Sequence, residues 1–270
     1  MKIGVLVNFD QNVKEELQKV KDFGLTSCQL VSWAPNSIDE ELCKTAKNFA
    51  DELGVEISLF WCGYSGSAVW DYIDGPSTIG LMPPATRAQR TEELKKGVDI
   101  ARWLGIKDMA SHVGFLSPNP KDPDYIGVIN SIKEIAQYGL AEGINFNFET
   151  GQETPMVLRR CIEEVGLPNL GINLDPANML MYGNGNPVDA IDVFGKYVRH
   201  FHAKDGEYPT SGTELGVEKA IGEGRVNFPV LIKKLKEIGF DGTLTIEREI
   251  SGEQQNVDIK NAIEFLNTLI

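Results

Sequence analysis

The sequence predicts an α/β protein whose single domain, residues 1–270, is a closed (β/α)8 TIM barrel. Three observations support this prediction. One sequence pattern recurs along the chain, the long loops follow strands rather than helices, and polar residues end consecutive strands on one face. The length fits this prediction, because (β/α)8 barrels commonly reach about 250 residues as one domain. A doubly wound open sheet is the alternative. Such a sheet normally has a glycine-rich phosphate turn after its first strand, where this chain reads VNFDQN.

The recurring sequence pattern is an amphipathic segment, then a glycine, then a short run of β-forming residues. In chain order it reads KDFGLTSCQLV, DELGVEISLFW, RWLGIKDMASHV, LAEGINFNFET, EEVGLPNLGINLD, VFGKYVRHFHA and KEIGFDGTLTIE. The glycines are predicted to follow helix C-termini, where a positive φ favours glycine; they are Gly24, Gly54, Gly105, Gly143, Gly166, Gly195 and Gly239. The seven repeats of this pattern and the opening strand IGVLVN give eight predicted strands that alternate with helices, which predicts a parallel sheet.

Four segments before these glycines carry apolar residues at helical spacing opposite a polar face. They are QNVKEELQKVKDF, DEELCKTAKNFADEL, TEELKKGVDIARWL and NFPVLIKKLKEI. These segments are therefore predicted to be surface helices that pack one face against the barrel.

Three loops from a predicted strand to the next helix are long, namely Tyr64–Ala85, Phe115–Asp124 and Gly206–Gly224. In a (β/α)8 barrel such loops lie at the C-terminal ends of the strands, where active sites are built. Long loops are usually functional, and merely tolerated insertions would not be confined to one end of the barrel. The first loop, which contains Trp70 and Tyr72, is predicted to be a mobile cover over the substrate.

Four consecutive strands are predicted to send polar side chains into the barrel, where large branched residues are usual. Their sequences are INFNFET, GINLDPAN, RHFHAKD and GTLTIERE. In each, apolar and polar residues alternate, and the apolar ones must face the helices. Each polar row ends in a group that can bind a metal: Glu149, Asp175, His202 and Glu247.

These four residues are predicted to bind one divalent metal ion. Three carboxylates buried together without a cation would repel one another and stay partly protonated. One imidazole and three carboxylates favour Mn²⁺, with Mg²⁺ or Co²⁺ as alternatives. Four unrelated strand ends paired with lysine or arginine would be the alternative, which their equal depth on adjacent strands disfavours. His200, on the same face as His202, is expected to be a hydrogen-bonded residue one layer deeper.

The strand endings NFET, NLDPAN, HFHAKD and TIERE, together with IGEGRVNFP, resemble those of the xylose isomerase-like superfamily of sugar and sugar-phosphate isomerases and epimerases. The resemblance covers nearly the whole chain and is to the ketose 3-epimerase branch. It implies the same four metal ligands, with Glu149 and Glu247 flanking the substrate as catalytic residues and Arg225 contacting it. Those epimerases often carry a histidine where this chain has Asn178, which is expected to contact the substrate.

Such a site can remove a proton next to a carbonyl group, because a metal ion stabilises the resulting enediolate as a Lewis acid and a nearby carboxylate acts as the base. Return of the proton to the other face gives epimerisation, and return to the adjacent carbon gives aldose–ketose isomerisation. The expected function is therefore a metal-dependent sugar isomerase or epimerase. The alternatives are an inosose or sugar-acid dehydratase and a non-enzymatic carbohydrate-binding barrel. Glu249 is a second-ranked candidate base.

Other side chains are expected at the same end of the barrel. Trp33 and Trp61 end strands two and three, where an indole could cover the apolar face of a sugar or simply pack at the rim. His112 ends strand four and is expected to donate or accept a hydrogen bond with the substrate. Lys204 and Arg225 could bind a phosphate group, or could pair with the neighbouring Asp205 and Glu223.

The composition of the chain limits the kinds of partner that it can bind. The net charge of −13 disfavours nucleic acid and anionic membranes, so the expected partner is a small-molecule sugar or sugar phosphate. A related barrel, the apurinic endonuclease with three zinc ions, needs more than three histidines and a basic face. The four cysteines lack zinc spacing and suit a reducing compartment. With no apolar run of the ~18 residues that a membrane span needs, a cytoplasmic protein is expected; a homo-oligomer stays open.

Overall fold

The computed structural model describes the whole chain, Met1–Ile270, as a closed barrel of eight parallel strands. The barrel strands are β1 (Lys2–Asn8), β2 (Ser27–Ser32), β3 (Glu56–Cys62), β4 (Asp108–Ser111), β5 (Asn145–Glu149), β6 (Leu170–Leu174), β7 (Val198–Ala203) and β10 (Thr243–Ile246). They follow one another around the barrel in chain order, and β10 closes it against β1. The predicted (β/α)8 fold is confirmed.

Ten α-helices connect the strands: α1 (Val13–Asp22), α2 (Glu40–Leu53), α3 (Gly75–Thr78), α4 (Pro84–Leu104), α5 (Pro123–Glu142), α6 (Pro155–Val165), α7 (Pro176–Met181), α8 (Pro187–Phe194), α9 (Phe228–Glu237) and α10 (Glu253–Asn267). Helix α4 begins at Pro84, seven residues before the predicted segment TEELKKGVDIARWL. Proline suits a first helical turn, because its missing N–H is one that the helix leaves unpaired. None of these helices combines the length and the apolar composition that a bilayer-spanning helix requires.

Six of the seven glycines predicted after helices have a positive φ there. Gly195 is the exception, with φ −51°, so that prediction is wrong. Gly195 there opens a 3₁₀ turn, Gly195–Tyr197, which keeps right-handed backbone angles and leads into β7.

The hydrophobic core lies mainly between the barrel and its helices, as one cluster of 63 buried apolar residues. The predicted alternation is confirmed on β5, where Phe146 and Phe148 belong to this outer core while Asn147 and Glu149 are buried without belonging to it. Buried polar groups need hydrogen-bond partners, so the polar residues on the barrel strands must satisfy one another or a ligand.

Two of the long loops carry short secondary structure. Helix α3 lies within Tyr64–Ala85, and the antiparallel ribbon of β8 (Asp205–Gly206) and β9 (Glu218–Lys219) lies at the third loop. The Asp205 carboxylate accepts the backbone N–H groups of Gly222, Gly224 and Val226 at 2.9–3.1 Å. Asp205 therefore fastens the end of this loop to the barrel.

Candidate active site

Glu149, Asp175, His202 and Glu247 lie together at the C-terminal ends of four neighbouring strands, with their donor atoms all within 4.8 Å of one another. Glu149 ends β5, Asp175 follows β6, His202 lies in β7 and Glu247 follows β10. The sheet register brings the histidine beside the last strand, since His202 is the Cα partner of Thr245. The structure thus brings together all four residues that were predicted as ligands; their role as ligands stays a prediction.

Asp175 shows how local structure orients one donor. It is the N-cap of α7, and its Oδ1 accepts the backbone N–H of Asn178 at 2.9 Å, which satisfies one of the unpaired donors of that helix. The other oxygen, Oδ2, is buried without a hydrogen-bond partner. One carboxylate oxygen therefore holds the helix, and the other is left for the cluster.

The cluster fits a divalent cation. Besides Asp175 Oδ2, Glu247 Oε2 is buried without a hydrogen bond; it lies 2.9 Å from His202 Nδ1 but is not aligned to accept one. Buried oxygens without partners are costly, and a cation would satisfy them. A donor set of three carboxylates and one imidazole suits Mn²⁺ or Mg²⁺ better than a thiolate-binding metal.

Charge in the cluster is balanced by protons and by one lysine. Burial disfavours the charged imidazole, but the carboxylates of Glu247 and Glu149 raise the pKa of His202 well above its ordinary value. Burial also raises the pKa of Asp175 well above its ordinary value, against the opposite effect of Lys204. Without a cation, Asp175 and His202 therefore keep their protons to higher pH than usual, and a metal ion that binds them would have to displace those protons.

Lys204 follows β7 and is 1% exposed. Its Nζ lies 2.9 Å from Glu249 Oε1 and 3.6 Å from both Asp175 Oδ2 and Glu247 Oε2. It does not pair with Asp205, which instead accepts backbone N–H groups. Lys204 therefore places a buried positive charge beside these three carboxylates.

Three of the predicted substrate contacts surround Glu149. The indole Nε1 of Trp61 donates to Glu149 Oε2, and Asn178 Nδ2 lies 3.4 Å from Oε1. His112 Nε2 lies 3.7 Å from the same oxygen, while its Nδ1 has no partner. Trp33 lies farther out, 44% exposed, and packs on Trp61 with ring centroids 4.8 Å apart.

A cavity of about 890 Å³ opens above the cluster, within the usual range of small-molecule sites, ~300–1,000 Å³. Its wall combines the aromatic residues Trp33, Trp61, Trp70 and Tyr182 with the carboxylates of Glu149, Glu247 and Glu249. Trp70 comes from the loop Tyr64–Ala85 and lies with its ring centroid 5.4 Å from that of His112. Indoles and carboxylates in one wall suit a ligand with both C–H and hydroxyl surfaces.

Two residues lie elsewhere. Arg225 is exposed and does not line the cavity, so its contact with a substrate stays a prediction. His200 lies 3.5 Å from Asp108 Oδ2. It lines a separate cleft with Lys2 and Lys107, apart from the four clustered residues, as expected.

Sequence reasoning missed Gln29 and Tyr182. Gln29 is fully buried on β2, with its Oε1 2.8 Å from His202 Nε2. The alternation in SCQLVS places Gln29 on the face opposite the core residues Cys28 and Leu30, so this face could have been inferred. Its partner on a distant strand could not.

Comparisons with known proteins agree with the fold. A family model described as a xylose isomerase-like TIM barrel matches residues 17–269. A xylose isomerase domain protein from Planctomyces limnophilus is 34% identical with a TM-score of 0.93, covering 99% of this chain and 96% of its own. A ketose 3-epimerase of Arthrobacter globiformis is 24% identical over 89% of this chain and 79% of its own length. A D-psicose 3-epimerase structure, 18% identical over 100% of this chain and 99% of its own, shares the fold with a TM-score of 0.75. The chain belongs to the xylose isomerase-like TIM-barrel family.

Proposed function

We propose that this protein is a divalent-metal-dependent sugar isomerase or epimerase that removes and returns a proton next to a carbonyl group, with Mn²⁺ as the ion. The observation that carries the proposal is the placement of Glu149 and Glu247. Both belong to the cluster within 4.8 Å, and both line the cavity. They can therefore act on a substrate as well as on a cation.

A divalent ion held by the four clustered residues would supply Lewis-acid stabilisation of the negative charge that develops as the proton leaves. The chain itself supplies two ionised carboxylates. Burial raises the pKa of Glu247, but Lys204 and His202 lower it more, to below its usual range. Burial likewise raises the pKa of Glu149, and His112 and His202 more than offset it.

The two carboxylates enter the cavity from different sides, because β6 and β7 separate β5 from β10 around the barrel. One carboxylate can take the proton from one face of a planar intermediate, and the other can return a proton to the opposite face. Trp61 holds Glu149 in place through its indole N–H. This arrangement favours epimerisation, the reaction for which the Arthrobacter relative and the D-psicose enzyme are named.

We infer that the substrate is an unphosphorylated sugar. Arg248 lines the cavity, but its guanidinium is paired with Glu218 at 2.7 Å and Asp258 at 2.8 Å. Lys204 is paired with Glu249, and Lys19 with Glu16. A phosphate would therefore meet four lining carboxylates, and only cations that are already paired with carboxylates, which electrostatics disfavours.

A panel of ketoses, aldoses and their phosphate esters, incubated with the Mn²⁺-loaded protein in D₂O, tests the proposal. NMR should show deuterium at the carbon next to the carbonyl, with an epimer or isomer as product, for free sugars in preference to phosphate esters. A product that has lost water would instead identify a dehydratase. A protein that binds the sugars but exchanges no proton in any of them would be a binding protein, and the proposal would be wrong.

A further inference from the structure

Gln29 reaches the ring of His202 from the far side of the barrel. Its Oε1 lies 2.8 Å from His202 Nε2, and both side chains are fully buried. The other ring nitrogen, Nδ1, points at the carboxylates, 3.2 Å from Glu149 Oε1 and 2.9 Å from Glu247 Oε2. The two nitrogens of one imidazole therefore have different environments.

An imidazole that binds a cation through Nδ1 must carry its proton on Nε2, and that N–H then needs an acceptor. We propose that Gln29 is the positioning residue for this ligand: its side-chain oxygen accepts the N–H of His202 Nε2 and so leaves the Nδ1 lone pair free for the divalent ion. This inference rests on the proposed function and names a residue that supports its metal site.

Asn173 contacts the same nitrogen, with Nδ2 3.0 Å from His202 Nε2. Its Oδ1 is buried without a partner. Rotation of the Asn173 amide by 180° exchanges its oxygen and nitrogen, which gives that oxygen a partner and the N–H of Nε2 a second acceptor. The reverse arrangement would rotate Gln29 instead, leave Nε2 unprotonated and place the proton on Nδ1, where it would block the cation. The two arrangements are mutually exclusive and can be distinguished.

Gln29 is also held firmly enough to orient a ring. Its strand neighbours Cys28 and Leu30 are buried in the outer core, and β2 pairs with both β1 and β3. Side chains that hydrogen-bond the remote nitrogen of a ligand histidine typically contribute about 10–100-fold to metal affinity. Gln29 is placed to make a contribution of that kind.

Mn²⁺ titration of three variants measures this contribution. Gln29→Met keeps the length of the side chain but removes the acceptor, and should weaken Mn²⁺ binding about 10–100-fold. Gln29→Glu keeps an acceptor oxygen and should restore most of the affinity. Thr245→Val is the matched control, because Thr245 is fully buried beside His202 on β10 and its Oγ1 makes no hydrogen bond; its affinity should equal that of the wild type.

NMR of the wild-type protein provides a test that does not depend on how the variants fold. The chain has only three histidines, so two-bond ¹⁵N–¹H correlations of the Mg²⁺-loaded protein can be assigned to each ring. His202 should carry its proton on Nε2. A proton on Nδ1, or Mn²⁺ affinity unchanged in a folded Gln29→Met protein, would overturn the inference and leave the proposed function standing. A wild type that binds no divalent ion would overturn both.

Discussion

Glu149 combines two demands at the scale of a single residue. It belongs to the four-residue cluster that could hold a metal ion, and its oxygens also face Trp61, Asn178 and His112 in the cavity wall. A carboxylate has two oxygens, so one can serve a cation while the other faces a substrate. Glu247 has the same opportunity from the opposite side, since its Oε2 is free of hydrogen bonds.

The variants Glu149→Gln and Glu247→Gln should separate the two bases. Each keeps a neutral oxygen for the metal but removes one proton acceptor, so turnover should fall by roughly 10²-fold or more, the contribution of a positioned general base. Each variant should still exchange deuterium into one epimer only, the one whose proton faces the remaining glutamate. NMR of both epimers in D₂O, with Mn²⁺ occupancy checked, measures this. Near-wild-type turnover in both metal-loaded variants would contradict the two-base mechanism.

Glu153 is another buried carboxyl group, and it makes no hydrogen bond through either side-chain oxygen. It is 4% exposed, and burial, assisted by Glu149, raises its pKa to about 8. The group is therefore largely neutral at pH 7 in the folded protein, whereas it is ionised in the unfolded chain. Folding takes up a proton here, so the contribution of Glu153 to stability is present below its ordinary pKa of 4.5 and is lost as the pH rises to about 8.

Glu153→Gln should therefore stabilise the protein increasingly as the pH rises. Glutamine does not titrate, so the gain in free energy of unfolding should grow between pH 4.5 and 8, up to about 5 kcal/mol from the size of the shift. Chemical denaturation of both proteins at pH 5 and pH 8 measures the difference. A gain that is equal at both values, or larger at pH 5, would show that the folded carboxyl group ionises normally.

At the scale of elements, the loop Tyr64–Ala85 reaches across the cavity. Arg90 on α4 is 1% exposed and donates to the backbone carbonyls of Ser65, Ser67, Thr78 and Gly80. Tyr72 reaches the other side, where its hydroxyl donates to Met181 O at 3.2 Å. The two ends of the loop are thus anchored at one buried guanidinium, and its middle rests on α7 through a single hydrogen bond.

Hydrogen exchange should slow in residues 68–74 when a substrate binds, because that part of the loop has few anchors and carries Trp70 into the cavity wall. Arg90→Lys cannot reach all four carbonyls. We expect it to cost about 1–3 kcal/mol in free energy of unfolding and to speed exchange in the loop. Arg102→Lys, on an exposed part of the same helix, is the control. A hydrogen-exchange rate in residues 68–74 that is the same with and without saturating substrate would contradict the role of this loop as a cover.

At the scale of the whole molecule, metal binding, protonation and folding are linked. Without a cation, the raised pKa values of Asp175 and His202 let both groups keep their protons to higher pH than usual. Binding must release them, so affinity should rise with pH. A cation that binds only the folded state adds about 2.7 kcal/mol to its stability at 100 times Kd.

Mn²⁺ should therefore raise the melting temperature relative to EDTA, and more at pH 7.5 than at pH 5.5. Calorimetric titration in buffers of different ionisation enthalpy should detect proton release. Asp175→Asn should release fewer protons and bind more weakly. A melting temperature that is the same with Mn²⁺ and with EDTA would rule out the metal centre.

The sequence by itself determined the features that depend on local patterns. The repeated sequence pattern encodes a helix, its C-terminal glycine and a strand in turn, so the barrel and six of the seven glycines could be predicted from it. Alternation along β5, β6, β7 and β10 identifies the inward face, and equal depth at the strand ends brings Glu149, Asp175, His202 and Glu247 to one place. The positive φ predicted for Gly195 is wrong because the same sequence pattern leads there into a 3₁₀ turn.

Only the tertiary structure decided which distant side chains meet. The contact of Gln29 with His202 requires closure of the barrel between β1 and β10, and no local pattern encodes that distance. The partner of Lys204 is Glu249 rather than the adjacent Asp205, because successive residues of a strand point to opposite faces and Asp205 is occupied by the following loop. Arg225 lies outside the cavity for a related reason. Its position depends on how a long loop folds back on the barrel, and the sequence of that loop has no periodicity from which the direction of a side chain could be inferred.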